Sequence, residues 1–204
     1  MPDVMLVAIL RGVTPDEVVD VGEVLYRAGV RAIEVPLNSP DALTSVSRLR
    51  EHLPAACRVG AGTVLSAADV AAAGAAGAEL IVSPNTDEDV ITATLDAGMT
   101  SIPGAATPTE AFRAIRAGAR DVKVFPAETV GPAGVRAWRA VLPGQVRLLP
   151  VGGIDATTIP AFLDAGAGGF GIGSSLYRPG IDPGELARRA SAVVAAVRNE
   201  RGTP

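Results

Sequence analysis

The chain has 204 residues, of which 48% are hydrophobic and 3% aromatic, and a formal net charge of −4. That length suggests one domain over residues 1–204 with a core of Ala, Val, Leu and Ile, and the mild charge, with no run of one sign, argues against nucleic acid or a membrane surface as the main partner. The single cysteine, Cys57, rules out an intrachain disulfide and fits a reducing compartment. No apolar run is long enough to cross a bilayer, and the first residues lack the basic segment and cleavage site of a signal peptide, so a cytoplasmic location is expected.

Short apolar, β-branched runs alternate with helix-like segments along the whole chain. Eight strands are predicted, near Val4–Ile9, Ala32–Val35, Arg58–Gly60, Leu80–Val82, Thr100–Ile102, Val122–Phe125, Leu148–Val151 and Gly169–Ile172. A helix is predicted after each. Several open with a cap residue before proline: Thr14-Pro15 with Glu17, Ser39-Pro40, Thr107-Pro108 with Glu110, and Asp182-Pro183 with Glu185. Many close on Ala-Gly, at Gly29, Gly77, Gly98, Gly118 and Gly166, where a glycine supplies the left-handed residue that turns the chain toward a strand. Strand-helix units of roughly 20–25 residues build parallel sheets. Eight of them predict an α/β fold, a single (β/α)8 barrel of the TIM type. An open doubly wound sheet is the competing reading; the absence of a Gly-x-Gly-x-x-Gly turn after strand 1 weighs against it.

A barrel of this kind carries its chemistry at the C-terminal ends of its strands. Strand 6, Asp121–Pro126, has a lysine in its middle. Alternation along a strand sets Lys123 and Phe125 on one face and Val122 and Val124 on the other. A lysine held in an apolar interior has a depressed pKa, and its neutral amine can attack a carbonyl to form a Schiff base. On strand 2 the same alternation turns Glu34 inward if Ile33 and Val35 face the helices. A structural ion pair is the plain alternative, but such a pair seldom repays its desolvation, so Lys123 is read as nucleophile and Glu34 as proton shuttle. Gly152-Gly153 after strand 7 and Gly173-Ser174-Ser175 after strand 8 stand where barrels bind phosphate through backbone N–H groups. Arg11, after strand 1, suits a carboxylate, and Thr63 could bond the same group. His52, Cys57 and Trp138 are read as structural, and Asp155 as an N-cap. A single histidine cannot build a multi-histidine zinc site.

These residues resemble a known family, the class I 2-keto-3-deoxy-6-phosphogluconate and 2-keto-3-deoxy-6-phosphogalactonate aldolases. The matching motifs are Glu34-Val35-Pro36-Leu37, Gly60-Ala61-Gly62-Thr63-Val64-Leu65, Ser83-Pro84-Asn85, Lys123-Val124-Phe125-Pro126-Ala127, Val151-Gly152-Gly153-Ile154 and Gly173-Ser174-Ser175-Leu176-Tyr177. The resemblance implies that Lys123 is the Schiff-base lysine and Glu34 the general acid/base. It implies that Thr63, Pro84 and Phe125 line the pyruvate end, that the glycine-serine loops take the phosphate, that the substrate is a phosphorylated keto sugar acid, that no cofactor is needed, and that the protein is a homotrimer. The gluconate branch carries an arginine where Asn38 stands, and here an arginine stands at position 11 instead. That pattern resembles the galactonate branch. The family usually begins with an extra N-terminal helix, and a first strand this close to Met1 is expected to leave the bottom of the barrel less covered. A phosphosugar epimerase or isomerase and a metabolite-sensing barrel remain the alternative functions, because fold alone does not decide among them.

Overall fold

The computed structural model describes residues 4–199. Its elements alternate as the sequence predicts, with eight helices and nine strands among the described residues. They run β1 (Met5–Ile9), α1 (Val18–Ala28), β2 (Ala32–Pro36), α2 (Ala42–His52), β3 (Arg58–Gly62), α3 (Ala67–Ala75), β4 (Leu80–Val82), α4 (Glu88–Asp96), β5 (Thr100–Ile102) and β6 (Gly104–Ala105). Then come α5 (Pro108–Arg116), β7 (Asp121–Val124), α6 (Ala127–Val141), β8 (Arg147–Pro150), α7 (Ile159–Asp164), β9 (Gly169–Ile172) and α8 (Pro183–Asn199). Every ladder is parallel.

The expected eight-stranded ring is not one continuous ladder. Six strands pair in the order β5-β4-β3-β2-β1-β9 and three in the order β6-β7-β8. A proline stands at each seam, and its missing N–H explains the break. Pro103 separates β5 from β6, and its carbonyl accepts from Lys123 N at 2.9 Å. A residue's N–H and C=O leave a strand on the same side, so the donor that Pro103 lacks would have faced β7. At the other seam Val151 N donates to Val124 O of β7, so Pro150, one residue earlier, would have donated toward β9. Across that seam remain Gly168 N to Leu148 O at 2.9 Å and a bridge between Val151 and Gly171.

One strand face packs on the helices, with Ile33, Val35, Val59, Ala61, Val122, Val124, Leu148 and Phe170 all buried in the larger core. The opposite face forms a second apolar cluster of Met5, Val7, Ala32, Leu80, Val82, Ile102 and Leu149. Small residues make room for it. A Cβ on Gly60 would lie 2.5 Å from Leu80 Cγ, and one on Gly171 would lie 2.7 Å from Val151 Cγ2.

Helix starts are met unevenly. Thr107 and Glu110 complete a capping box on α5, with Pro108 in the first turn, and Asp182 Oδ1 accepts from Glu185 N at 2.9 Å. Thr14-Pro15 instead forms a turn ahead of α1, which starts at Val18. Ser39-Pro40 likewise precedes α2, whose N-cap is Asp41 in the left-handed region. There the Ser39 hydroxyl accepts from Gly12 N at 2.9 Å, tying two loops together instead of capping a helix. Asp155 caps a turn rather than α7 itself, accepting from Thr157 N and Thr158 N.

Candidate active site

Lys123 and Glu34 come from β7 and β2 and point to the same interior, above the smaller apolar cluster. They are 7% and 2% exposed. They do not close into a salt bridge; the ion pairs of the described residues all lie elsewhere. One Glu34 oxygen, Oε2, is buried with no hydrogen-bond partner. Burial pushes the Glu34 carboxyl from its ordinary 4.5 up to about 7, against the opposing pull of Lys123 and Arg11. Burial also lowers the Lys123 pKa and outweighs the support from Glu34, while Arg11 lowers it further. The amine sits 4.6 Å from the centre of the Phe125 ring. β3 leaves space for the carboxylate, because a Cβ on Gly62 would overlap it.

These groups open into a cavity of about 410 Å³. Its walls hold all of the residues singled out from sequence: Arg11, Glu34, Thr63, Pro84, Lys123, Phe125, Gly152, Gly153, Gly173, Ser174 and Ser175. Ile9, Val151, Ile154, Gly171, Tyr177, Arg178 and Pro179 also line it and were not singled out as site residues from sequence. The signal for Val151 was its alternation with Leu149 on one strand face; for Tyr177 and Arg178 it was the chain that follows Ser175.

At one end of the cavity the Arg11 guanidinium donates to Asn38 Oδ1 and, at 3.4 Å, to Thr63 Oγ1. Asn38 is thus part of the site, as the residue that holds Arg11. Thr63 takes φ 55°, an uncommon conformation for a β-branched residue. At the other end Gly152 and Gly153 take φ 105° and 64°, which glycine alone tolerates readily. Among the described residues, the backbone N–H groups of Gly153, Ser174 and Ser175 have no partner within the chain, while Gly152 follows the Val151–Gly171 bridge. Free N–H groups on facing loops form a concave anion cradle. The Ser175 hydroxyl is already committed, donating to Ile154 O at 2.6 Å, so it braces the two loops while its N–H stays available. Tyr177 OH donates to Glu17 Oε1 at 3.2 Å, which ties the last loop to the first.

The residues set aside from sequence lie outside this cavity. His52 is exposed, and Trp138 is buried on α6. Cys57 is buried and its thiol is pushed up to about 11 by burial. Among the described residues no group of three or more His, Cys, Asp or Glu comes together to hold a metal ion, and no helix is long and apolar enough to cross a membrane.

Known proteins resemble the chain over most of its length. Residues 1–190 match the family described as "Aldolase: KDPG and KHG aldolase". The chain is 45% identical to a probable 2-dehydro-3-deoxy-6-phosphogalactonate aldolase of Rhizobium meliloti, covering 94% of this chain and 90% of that one. It is 43% identical to the 2-dehydro-3-deoxy-6-phosphogalactonate aldolase of Escherichia coli, covering 95% and 94%. A 2-dehydro-3-deoxy-phosphogluconate aldolase of Pseudomonas aeruginosa is 35% identical over 72% of this chain and 66% of that one. Among solved structures, one called native KDPGal superposes with a TM-score of 0.95 at 40% identity, over all of this chain and 97% of that one. A cube-shaped cage designed by fusing symmetric oligomeric domains matches at 0.95 and 41% identity, over 97% of this chain and 73% of that one. By sequence and by structure the chain belongs to the KDPG and KHG aldolase family.

Proposed function

We propose that this protein is a Schiff-base aldolase that cleaves 2-keto-3-deoxy-6-phosphogalactonate to pyruvate and glyceraldehyde 3-phosphate. The observation that carries the reading is the buried, unbridged pair of Lys123 and Glu34 at the floor of one cavity. Arg11 stands at one end of that cavity and the unpartnered N–H groups of two glycine loops at the other. Neutral Lys123 attacks the C2 ketone, water leaves, and the resulting iminium becomes the electron sink. Glu34 takes the proton of the C4 hydroxyl, the C3–C4 bond breaks, and the aldehyde leaves. The enamine takes a proton at C3, and hydrolysis frees pyruvate and the amine. A carboxyl near 7 is matched to accepting and returning a proton at neutral pH. A void of about 10 Å³ beneath the pair is close to the room one water needs, and Glu34 Oε2 is free to bond it.

In this reading the two sheets act as one (β/α)8 barrel, joined at the proline seams, with the phosphate in the glycine cradle and the substrate carboxylate on Arg11. The galactonate acid is favoured because Arg11 is held by Asn38, and because the galactonate relatives are the more similar ones. A homotrimer in the cytoplasm completes the proposal. Exposed Leu65, Leu95 and Phe112 supply apolar surface for an assembly, and a stable monomer in light scattering at micromolar concentration would remove that part. The test of the chemistry is borohydride reduction with pyruvate. A mass gain mapping to Lys123 supports it; no adduct on any lysine rejects it.

A further inference from the structure

We propose that the N-terminal face of the strands, opposite the catalytic cavity, is a second anion site that takes a compact, multiply charged phosphate such as pyrophosphate. A cavity of about 440 Å³ opens there between the starts of β1, β2, β3 and β8 and the end of α8. Four arginines line it, Arg31, Arg58, Arg147 and Arg198, and among the described residues no acidic one does. The smaller apolar cluster, from Met5 to Leu149, fills the space between it and the Lys123–Glu34 pair.

The partners of these arginines leave positive charge to spare. Arg147 is neutralised, with Nε and Nη2 on the Asp121 carboxylate at 2.6 and 3.1 Å. Arg31 spends Nη1 on two backbone carbonyls, Tyr26 O and Val30 O, both at 2.8 Å, and stacks on the Tyr26 ring. Arg58 donates to Thr100 Oγ1 at 3.2 Å and only to a thioether, Met5 Sδ, with its other terminal nitrogen. Arg198 lies against Gly29. Glu79, a carboxylate near this face, is taken by Arg50 and by Val59 N. Among the described residues no carboxylate pairs with Arg31, Arg58 or Arg198. Three guanidiniums around one cavity, none paired with a carboxylate of the described residues, in a chain whose net charge is −4, concentrate a positive field against the overall balance. Val4, Leu6, Val194 and Val197 form part of the wall, and an apolar wall strengthens the attraction by lowering the local dielectric. Planar guanidinium forks match phosphoryl oxygens two at a time.

The test is calorimetric titration of the intact protein with pyrophosphate at fixed ionic strength, beside the Arg58→Gln/Arg198→Gln double variant. The glycine cradle also takes phosphate, so the wild type is expected to show two binding events per chain. The double variant should lose one, or bind at that site at least tenfold more weakly, with kcat/KM for aldol cleavage unchanged within about twofold. The same isotherm in both proteins, whether it shows one event or two, overturns the proposal. So does an equal response to sulfate, which would show diffuse charge attraction only. If the double variant fails to fold, Arg198→Gln and Arg31→Gln singly must each weaken the second event by threefold or more, and unchanged binding in both overturns it. Pyruvate trapping on Lys123 is read separately, so failure here and failure of the aldolase assignment are distinguishable.

Discussion

Replacing Glu34 with glutamine keeps the side chain's shape and removes its charge, so it isolates what burial does to the carboxylate. In the folded protein the carboxyl is raised from 4.5 to about 7. At about 1.4 kcal/mol for each tenfold change, that makes the charged form roughly 3 kcal/mol harder to hold. Between those two pH values the folded state carries more protons at this site than the unfolded chain does. Stability contributed by Glu34 is therefore full below about 4.5 and is lost as pH rises through about 7. The glutamine variant has no such loss. Lys123 works in the same direction, because without the Glu34 charge its lowered pKa falls further and the neutral amine is easier to bury. The prediction is that Glu34→Gln gains about 3 kcal/mol relative to wild type between pH 4 and pH 8, whatever its fixed offset at low pH. Urea unfolding at a series of pH values, at one protein concentration to hold any assembly constant, measures it. At the same time kcat should fall by about 10²- to 10⁴-fold. A difference between the two proteins that stays constant within about 0.5 kcal/mol from pH 4 to pH 8 would refute the idea that burial sets the carboxyl's proton affinity.

Three further outcomes are expected. Lys123→Ala should abolish cleavage in a folded protein, since no other lysine lines the cavity; near wild-type turnover would sink the Schiff-base mechanism. Gly62→Ala should cut kcat/KM by at least tenfold with little change in circular dichroism, because the added methyl would overlap the Glu34 carboxylate; unchanged kinetics would show that the carboxylate can move aside without loss. Arg11→Val with Asn38→Arg should shift the kcat/KM ratio toward the gluconate acid in parallel assays of both epimers, and a starting preference for that acid would show that Arg11 does not mark substrate choice.

The parts legible in the sequence were those governed by local rules. Alternation along β2 and β7 turned Glu34 and Lys123 inward, and the glycines after strands 7 and 8 marked the cradle. The seams were legible in principle, since Pro103 and Pro150 advertise missing donors, but which neighbour each would have served depends on strand order. Ser39 was misread because its hydroxyl serves Gly12, 27 positions away, instead of a helix. The Tyr177–Glu17 bond spans 160 positions, and no local pattern announces it. Asn38 was read only as a departure from a motif; its grip on Arg11 needed both loops in place.

The greasy layer beneath the reacting pair has a consequence for traffic. Val7, Val82, Ile102 and Leu149 form an apolar floor under Lys123 and Glu34, and the larger cavity opens above the pair. In the proposed reaction, a substrate that fills this cavity stands between the pair and bulk solvent, so the enamine meets a side-chain donor before it meets outside water. On that proposal the carboxyl of Glu34, which takes the C4 proton, is also the source for C3, and a single buried side chain serves both halves of the cycle.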